Sequence, residues 1–324
     1  MTNKKIMILG TGGTIAGLAS DASNNIDYTA AQVGVSQLIG AVAGLNGDVE
    51  TEQVAQIDSK DMSFEVWTAL ANRVQHHLAR DDVQGVVITH GTDTLEETAY
   101  FLHAVLSPAK PVVLTCAMRP ASALAPDGLQ NILDAVTVAS HGGAQGVVVV
   151  CAGSIHSALD VQKVHTYQLN AFGSGDAGAI GFVEESKLIL VRNWPIAQVI
   201  RAQAAIENIA ILNLTKTWPV VEIVMNYAGA SGAMVQALVA QGVQGLVLAG
   251  TGNGTMHHDL EAALMQAQAD GVRVVRATRC VNGRVLPKPG DLLPDSQALS
   301  PVKARVALML ELLTAQRSAP TASD

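Results

Sequence analysis

Apolar and polar positions along this chain alternate between two rhythms. Short aliphatic runs recur at 6–9 (IMIL), 85–89 (GVVIT), 111–115 (PVVLT), 146–151 (GVVVVC), 220–224 (VVEIV), 245–250 (GLVLAG) and 272–277 (VRVVRA). Runs with hardly a polar face suit strands whose sheet is covered on both sides, the pattern of a parallel sheet. Between them, stretches such as Ser63 to Arg80 and Gly128 to Ser140 carry apolar residues at helical spacing and supply the crossovers. The pattern predicts an α/β fold, two three-layer α/β domains with mainly parallel sheets, the N-terminal one larger and the C-terminal one smaller. The rhythm lapses between Trp194 and Trp218, which sets an N-terminal domain at 1–195, a linker at 196–217 and a C-terminal domain at 218–324. Val285 to Pro294 is rich in Pro and Gly and reads as a surface loop. It precedes a final helix from Pro301 to Gln316 and a frayed tail from Arg317.

Composition narrows the class. A chain of 324 residues exceeds what one core usually serves, and 49% hydrophobic residues with only 3% aromatic ones require an aliphatic interior. A net charge of -8 without a Lys/Arg cluster argues against a nucleic-acid partner. Cys116, Cys151 and Cys280 show no C-x-x-C spacing, and the first two, in or beside apolar runs, read as buried free thiols. Only about four apolar residues precede the first glycines, too few for a signal-peptide core. No run of about eighteen apolar residues exists to span a membrane. The expectation is a cytoplasmic protein with neither a nucleic-acid nor a membrane partner.

Three strands leave through Gly-Thr: ILGTGGTIAG at 8–17, VITHGTDTLEET at 87–98 and LVLAGTGNGTM at 246–256. Ligands of open α/β sheets bind at the carboxyl ends of strands, so such loops are expected to converge on a pocket. Glycines there let backbone N–H groups approach a ligand, and helix N-termini beyond them favour an anionic group. A dinucleotide site fails on spacing, because Ile15 stands where the third glycine belongs; a P-loop fails because no Gly-Lys-Ser/Thr follows. G-x-S-x-G and H-E-x-x-H are absent, and the pairs His76-His77 and His257-His258 lack ligand spacing and read as solvated or helix-surface residues. Hydroxyls remain, at Thr11, Thr14, Ser59, Thr89, Thr92 and Thr94. A hydroxyl needs a base at neutral pH. The best one is Lys163 in HSALDVQKVHT, a mixed setting where burial would favour the neutral amine.

TGGTIAG at 11–17 and HGTDTLEETAYFL at 90–102 together resemble the two threonine motifs of the bacterial L-asparaginase (asparaginase/glutaminase) family. IDSKDM at 57–62, AMRP at 117–120, DGLQN at 127–131, the Lys163 segment and GTGNG at 250–254 follow in family order. The resemblance covers almost the whole chain. It implies an amidohydrolase that turns L-asparagine into L-aspartate and ammonia, with L-glutamine as a competing substrate, no metal and no organic cofactor. It also implies a homotetramer whose sites are completed by a neighbour's second domain. Thr14 would attack the side-chain amide, with Tyr28 beside it on a mobile loop; Thr92, Asp93 and Lys163 would form a second catalytic cluster. Gly13, Asp58, Ser59, Gly91, Thr92, Asp93, Ala117 and Asn253 would line the substrate, Ser59 taking its α-carboxylate and Asp93 its amino group.

Other readings of the same residues stand beside these. The glycines around Thr14 also suit a tight strand-to-helix turn, and Asp93 followed by Glu96 matches a helix cap. Asp58-Ser59-Lys60 stands where many secreted members read Gly-Ser-Gln, and Lys60 would repel a bound ammonium unless it turned away. In RVLPKPGDLLPD at 284–295 no family carboxylate aligns, which leaves Asn253 to reach the neighbouring site. A related amidase of the amidotransferase type and a silent amino-acid binding protein are the alternatives; a lysine beside a hydroxyl argues against silence.

Overall fold

The first apolar run forms strand β1 (Lys5–Gly12), whose alternate side chains enter two different layers. The computed structural model describes residues 4–43, 45, 48–195 and 209–318. In chain order there follow α1 (Val35–Gly40), β2 (Val49–Ile57), α2 (Phe64–Leu78), β3 (Val83–Thr89), α3 (Leu95–Leu106), β4 (Pro111–Thr115), α4 (Gly128–Ala139) and β5 (Gly146–Cys151). Five short strands come next: β6 (Ser154–Ser157), β7 (Gln162–Lys163), β8 (Phe172–Gly173), β9 (Gly181–Glu184) and β10 (Lys187–Leu190).

The main sheet runs β10-β9-β6-β5-β4-β3-β1-β2. Strands β2 through β5 pair in parallel, whereas β6, β9 and β10 extend the sheet antiparallel at one end. Ile6 and Ile8 of β1, with Val87, Val113 and Val148, meet α1 and α4 on one face. On the other side α2 and α3 pack together, with Trp67 stacked on Phe101 at 4.8 Å and its indole N–H bonded to Thr98 Oγ1. These are the three layers the apolar runs predict.

Strand β2 escapes the apolar pattern because it is a half-buried edge that carries charges toward α2. Glu50 pairs with Lys5 at 2.5 Å and Arg80 at 3.0 Å. Glu52 accepts from Arg73 at 2.6 and 2.8 Å and lies 2.7 Å from His77 Nε2, and these partners, Arg73 first, hold its pKa down to about 2. His77 is therefore buried in an ion-pair cluster rather than solvated, a correction to its sequence reading; His76 is exposed. Strands β9 and β10 also escaped, joined by a two-residue turn at Glu185 and Ser186, both at positive φ as a tight hairpin requires.

Chain contacts divide the molecule into two compact units, 1–209 and 210–324. Of the expected linker at 196–217, residues 196–208 lie outside the described residues, as do 319–324 of the expected frayed tail. The second unit holds a parallel sheet of β11 (Val221–Met225), β12 (Gly245–Gly250) and β13 (Arg273–Thr278). Helices α5 (Ala233–Ala240) and α6 (His258–Ala269) join Leu246 and Leu248 in one apolar cluster. The last helix, α7 (Pro301–Ser318), packs on the same three strands, with Leu308 against Gly245. The fold is two α/β domains, the first larger. Among the described residues no helix is long and apolar enough to cross a membrane.

Candidate active site

The carboxyl ends of β1, β2, β3 and β4 meet along one edge of the main sheet, and the loops leaving them carry the chemistry. Gly12 and Gly13 leave β1 at φ 100° and 82°, a region that excludes most side chains. A Cβ on Gly13 would lie 2.3 Å from the Gly91 Cα, and one on Gly91 would lie 2.5 Å from Ser59 Oγ. Only glycines let the β1 and β3 loops touch, and Thr14 and Thr92 each follow that contact by one residue.

Thr14 opens a buried 3-10 turn, Thr14–Ala16. Its Oγ1 lies 2.7 Å from the Tyr28 hydroxyl. Tyr28 is held there by backbone bonds between Leu18 and Thr29 and from Ala31 and Gln32 back to Gly13 and Ala16. Its ring lies over Gly17, where a Cβ would come within 2.9 Å of it.

The second cluster gathers residues far apart in sequence. Lys163, on the short strand β7, donates from Nζ to Thr92 Oγ1 at 2.8 Å and to Asp93 Oδ1 at 2.6 Å. Ser59, buried after β2, accepts from the Asp93 backbone N–H at 3.1 Å, and its carbonyl accepts from Thr94 Oγ1 at 2.8 Å. Thr94 thus has a tying role, as has Thr11, whose hydroxyl bonds to the Thr89 carbonyl at 3.0 Å. Asp58 caps the turn after β2 through the Lys60 N–H. Lys60 turns toward Asp58 and Asp61, both acidic neighbours.

Ala117 is fully buried after β4. Its loop is clipped by two residues that sequence reasoning did not single out for chemistry. Asp127 accepts from the Met118 and Arg119 N–H groups, both at 3.0 Å. Asn131 donates to the Cys116 carbonyl at 2.9 Å and accepts from the Ala152 N–H at 3.0 Å. The signal was present: AMRP and DGLQN are the two halves of this clip. Cys116 and Cys151 are free and buried, as expected, with sulfurs 3.5 Å apart. The Cys151 sulfur, and then burial, hold the Cys116 thiol well up.

His90 lies fully buried at the root of the Thr92 loop. Its Nδ1 is 2.7 Å from the Gly91 carbonyl oxygen, so Nδ1 bears the proton and donates, while buried Nε2 finds no partner among the described residues. Burial pushes its pKa down to about 4. As pH falls, the unfolded imidazole takes a proton first, near about 6.5, so stability is complete above that value and declines toward about pH 4. Linkage predicts a loss of about 2 kcal/mol between pH 7 and pH 5. Urea midpoints of the wild type and His90→Gln across that interval check this, the variant showing the flatter profile; parallel profiles would clear His90.

The third Gly-Thr loop lies in the second unit. Asn253 there spends its amide on Leu286, donating to the carbonyl at 2.9 Å and accepting the N–H at 2.6 Å. Within the segment at 284–295, Asp291 forms a part-buried ion pair with Arg276 at 2.5 Å. His257 caps α6 through Nδ1, and its ring stacks on His258 at 4.2 Å.

Comparison with known proteins places these motifs. The family model described as asparaginase, N-terminal, matches residues 5–195, and that described as glutaminase/asparaginase C-terminal domain matches 220–322. L-asparaginase 2 of Bacillus subtilis is 39% identical over 95% of this chain and 82% of its own length. The glutaminase-asparaginase of Pseudomonas fluorescens is 36% identical, with 97% and 87% covered. A crystal structure of a probable cytoplasmic L-asparaginase from Campylobacter jejuni superposes with a TM-score of 0.88 at 37% identity, covering 95% of both chains.

Proposed function

From the premise that this chain belongs to the asparaginase family, we propose that it is an L-asparagine amidohydrolase working through threonine hydroxyls. The observation that carries the reading is the pair of hydroxyls on touching loops, Thr14 beside Tyr28 and Thr92 beside Lys163. Binding alone has no use for a lysine bonded to a hydroxyl, so the silent alternative falls away.

Thr14 Oγ attacks the side-chain carboxamide carbon of L-asparagine, and as its proton passes to Tyr28 Oη the phenolic proton of Tyr28 is handed on toward the amide nitrogen, so that no net charge collects on the tyrosine. The C–N bond breaks, ammonia leaves with a proton relayed through the hydroxyls, and water then hydrolyses the aspartyl ester to restore Thr14. Lys163, its charge balanced by Asp93, lowers the cost of negative charge on the Thr92 oxygen. Backbone N–H groups of the Gly91–Thr92 loop receive the developing oxyanion, a contribution of about 3 kcal/mol in comparable sites. Ser59 Oγ, which accepts from the Asp93 N–H, keeps its own proton for the substrate α-carboxylate. Asp93 receives the α-ammonium, and Ala117, Gly13 and Asp58 shape the wall.

L-Glutamine differs by one methylene, a distinction worth about 1 to 3 kcal/mol, and is the competing substrate. We place the enzyme in the cytoplasm as a homotetramer. Free Cys116 and Cys151 support the first, as does the probable cytoplasmic L-asparaginase of Campylobacter jejuni. Exposed apolar side chains support self-association, Val191 and Leu190 in one unit and Met225, Tyr227 and Met234 in the other.

Hydroxylamine added during turnover tests the covalent step. An acyl-enzyme partitions between water and hydroxylamine, so aspartyl hydroxamate should appear at the expense of aspartate. Aspartate formation untouched by hydroxylamine would overturn the threonine-ester route.

A further inference from the structure

The Thr92 cluster joins two pieces of chain about as unlike as the fold offers. Thr92 and Asp93 sit on the loop entering α3, whereas Lys163 comes from a two-residue strand in a small hairpin with β8, paired as Gln162 with Gly173 and Lys163 with Phe172 and continued only by the Val164 and His165 N–H groups on the Ala171 carbonyl. Such a ladder is a weak support for a side chain that must hold two bonds at once. One side chain bridges the pieces from behind. Glu96, in the first turn of α3, accepts the Lys163 backbone N–H at its Oε2, 3.2 Å away. It takes the place that a further strand would hold beside β7.

The sequence reads Glu96 as the distal half of a helix cap opposite Asp93. The structure makes Thr94 the N-cap, without a side-chain cap bond, and commits Asp93 to Lys163. Glu96 is thereby left to a different task from the one its spacing predicts. It lies three positions after Asp93 in the chain, so the same helical start fixes both the hydroxyl side of the cluster and the backbone of the lysine side.

We propose that Glu96 is a positioning residue for the amide-cleaving reaction, holding the Lys163 backbone so that Nζ reaches Thr92 and Asp93 together. The inference rests on the role given to Lys163 above. Reach, rather than charge, is what the N–H bond requires. Glutamine retains an acceptor oxygen at the same distance along the side chain; aspartate retains the charge but withdraws it by one methylene.

Steady-state kinetics with L-asparagine separate these. Glu96→Ala and Glu96→Asp should each lower kcat about tenfold with KM within about twofold, the size of effect a small misplacement of a reacting group brings. Glu96→Gln should stay within about twofold of wild type. In a Lys163→Met background, Glu96→Ala should cost nothing further, because the residue it positions is gone. Full activity in soluble, folded Glu96→Ala, or rescue by Asp but not Gln, would overturn the proposal, as would losses that multiply in the double variant. If Glu96→Ala does not fold, the Gln and Asp pair decides alone. A wild-type rate in Lys163→Met by itself would instead sink the role of Lys163, so the two failures are distinguishable.

Discussion

Replacing Thr14 by alanine is expected to lower kcat for ammonia release from L-asparagine by at least about 10³-fold, while thermal unfolding stays within a few degrees of wild type. The hydroxyl is buried, so its loss removes little surface, and it bonds to Tyr28 Oη at 2.7 Å. Tyr28 is part-exposed and keeps access to solvent, so no buried polar group is orphaned and the fold has little reason to suffer. Only the reaction depends on that oxygen. Stopped or steady-state ammonia release beside a melting curve makes the comparison; near-normal turnover in a folded variant would remove Thr14 from the nucleophile's role.

Lys163→Met is the second large effect, with kcat expected to fall about 10²- to 10³-fold, in the range of a lost electrostatic stabiliser. Methionine matches the length of the chain but withdraws both bonds, to Thr92 Oγ1 and to Asp93 Oδ1. Thr92→Ala should lose a similar factor, and the double variant should be no worse than either single one, since the residues act as one device. The kinetic cycle is the check: multiplicative losses would mean that Lys163 and Thr92 act separately, and an unchanged rate in Lys163→Met would exclude it from the reaction.

How much of this was legible beforehand depended on the physics behind each element. The strands buried on both faces were legible, because a covered parallel strand has to be continuously apolar, as GVVVVC and PVVLT are. Strand β2 was not, since VETEQVAQI lies at an edge where Glu50 and Glu52 are satisfied by Lys5, Arg73, His77 and Arg80, partners that only the tertiary fold brings near. His77 looked solvated for the same reason. At the site, the Gly-Thr exits of β1 and β3 announced backbone-exposing turns, and the need for closeness between Gly13 and Gly91 explains their composition. Neither the 2.8 Å bond from Lys163 to Thr92 nor the support from Glu96 can be read from spacing, because the partners lie 71 and 67 positions apart and no periodicity spans that distance.

Ammonia release from L-asparagine by the purified protein at neutral pH, with aspartate measured in the same samples, tests the central claim most directly. The account predicts one aspartate for each ammonia and a higher kcat/KM than for L-glutamine. No ammonia from either substrate, in a protein whose fold is intact, would contradict it and leave the touching threonine loops to act on a different amide.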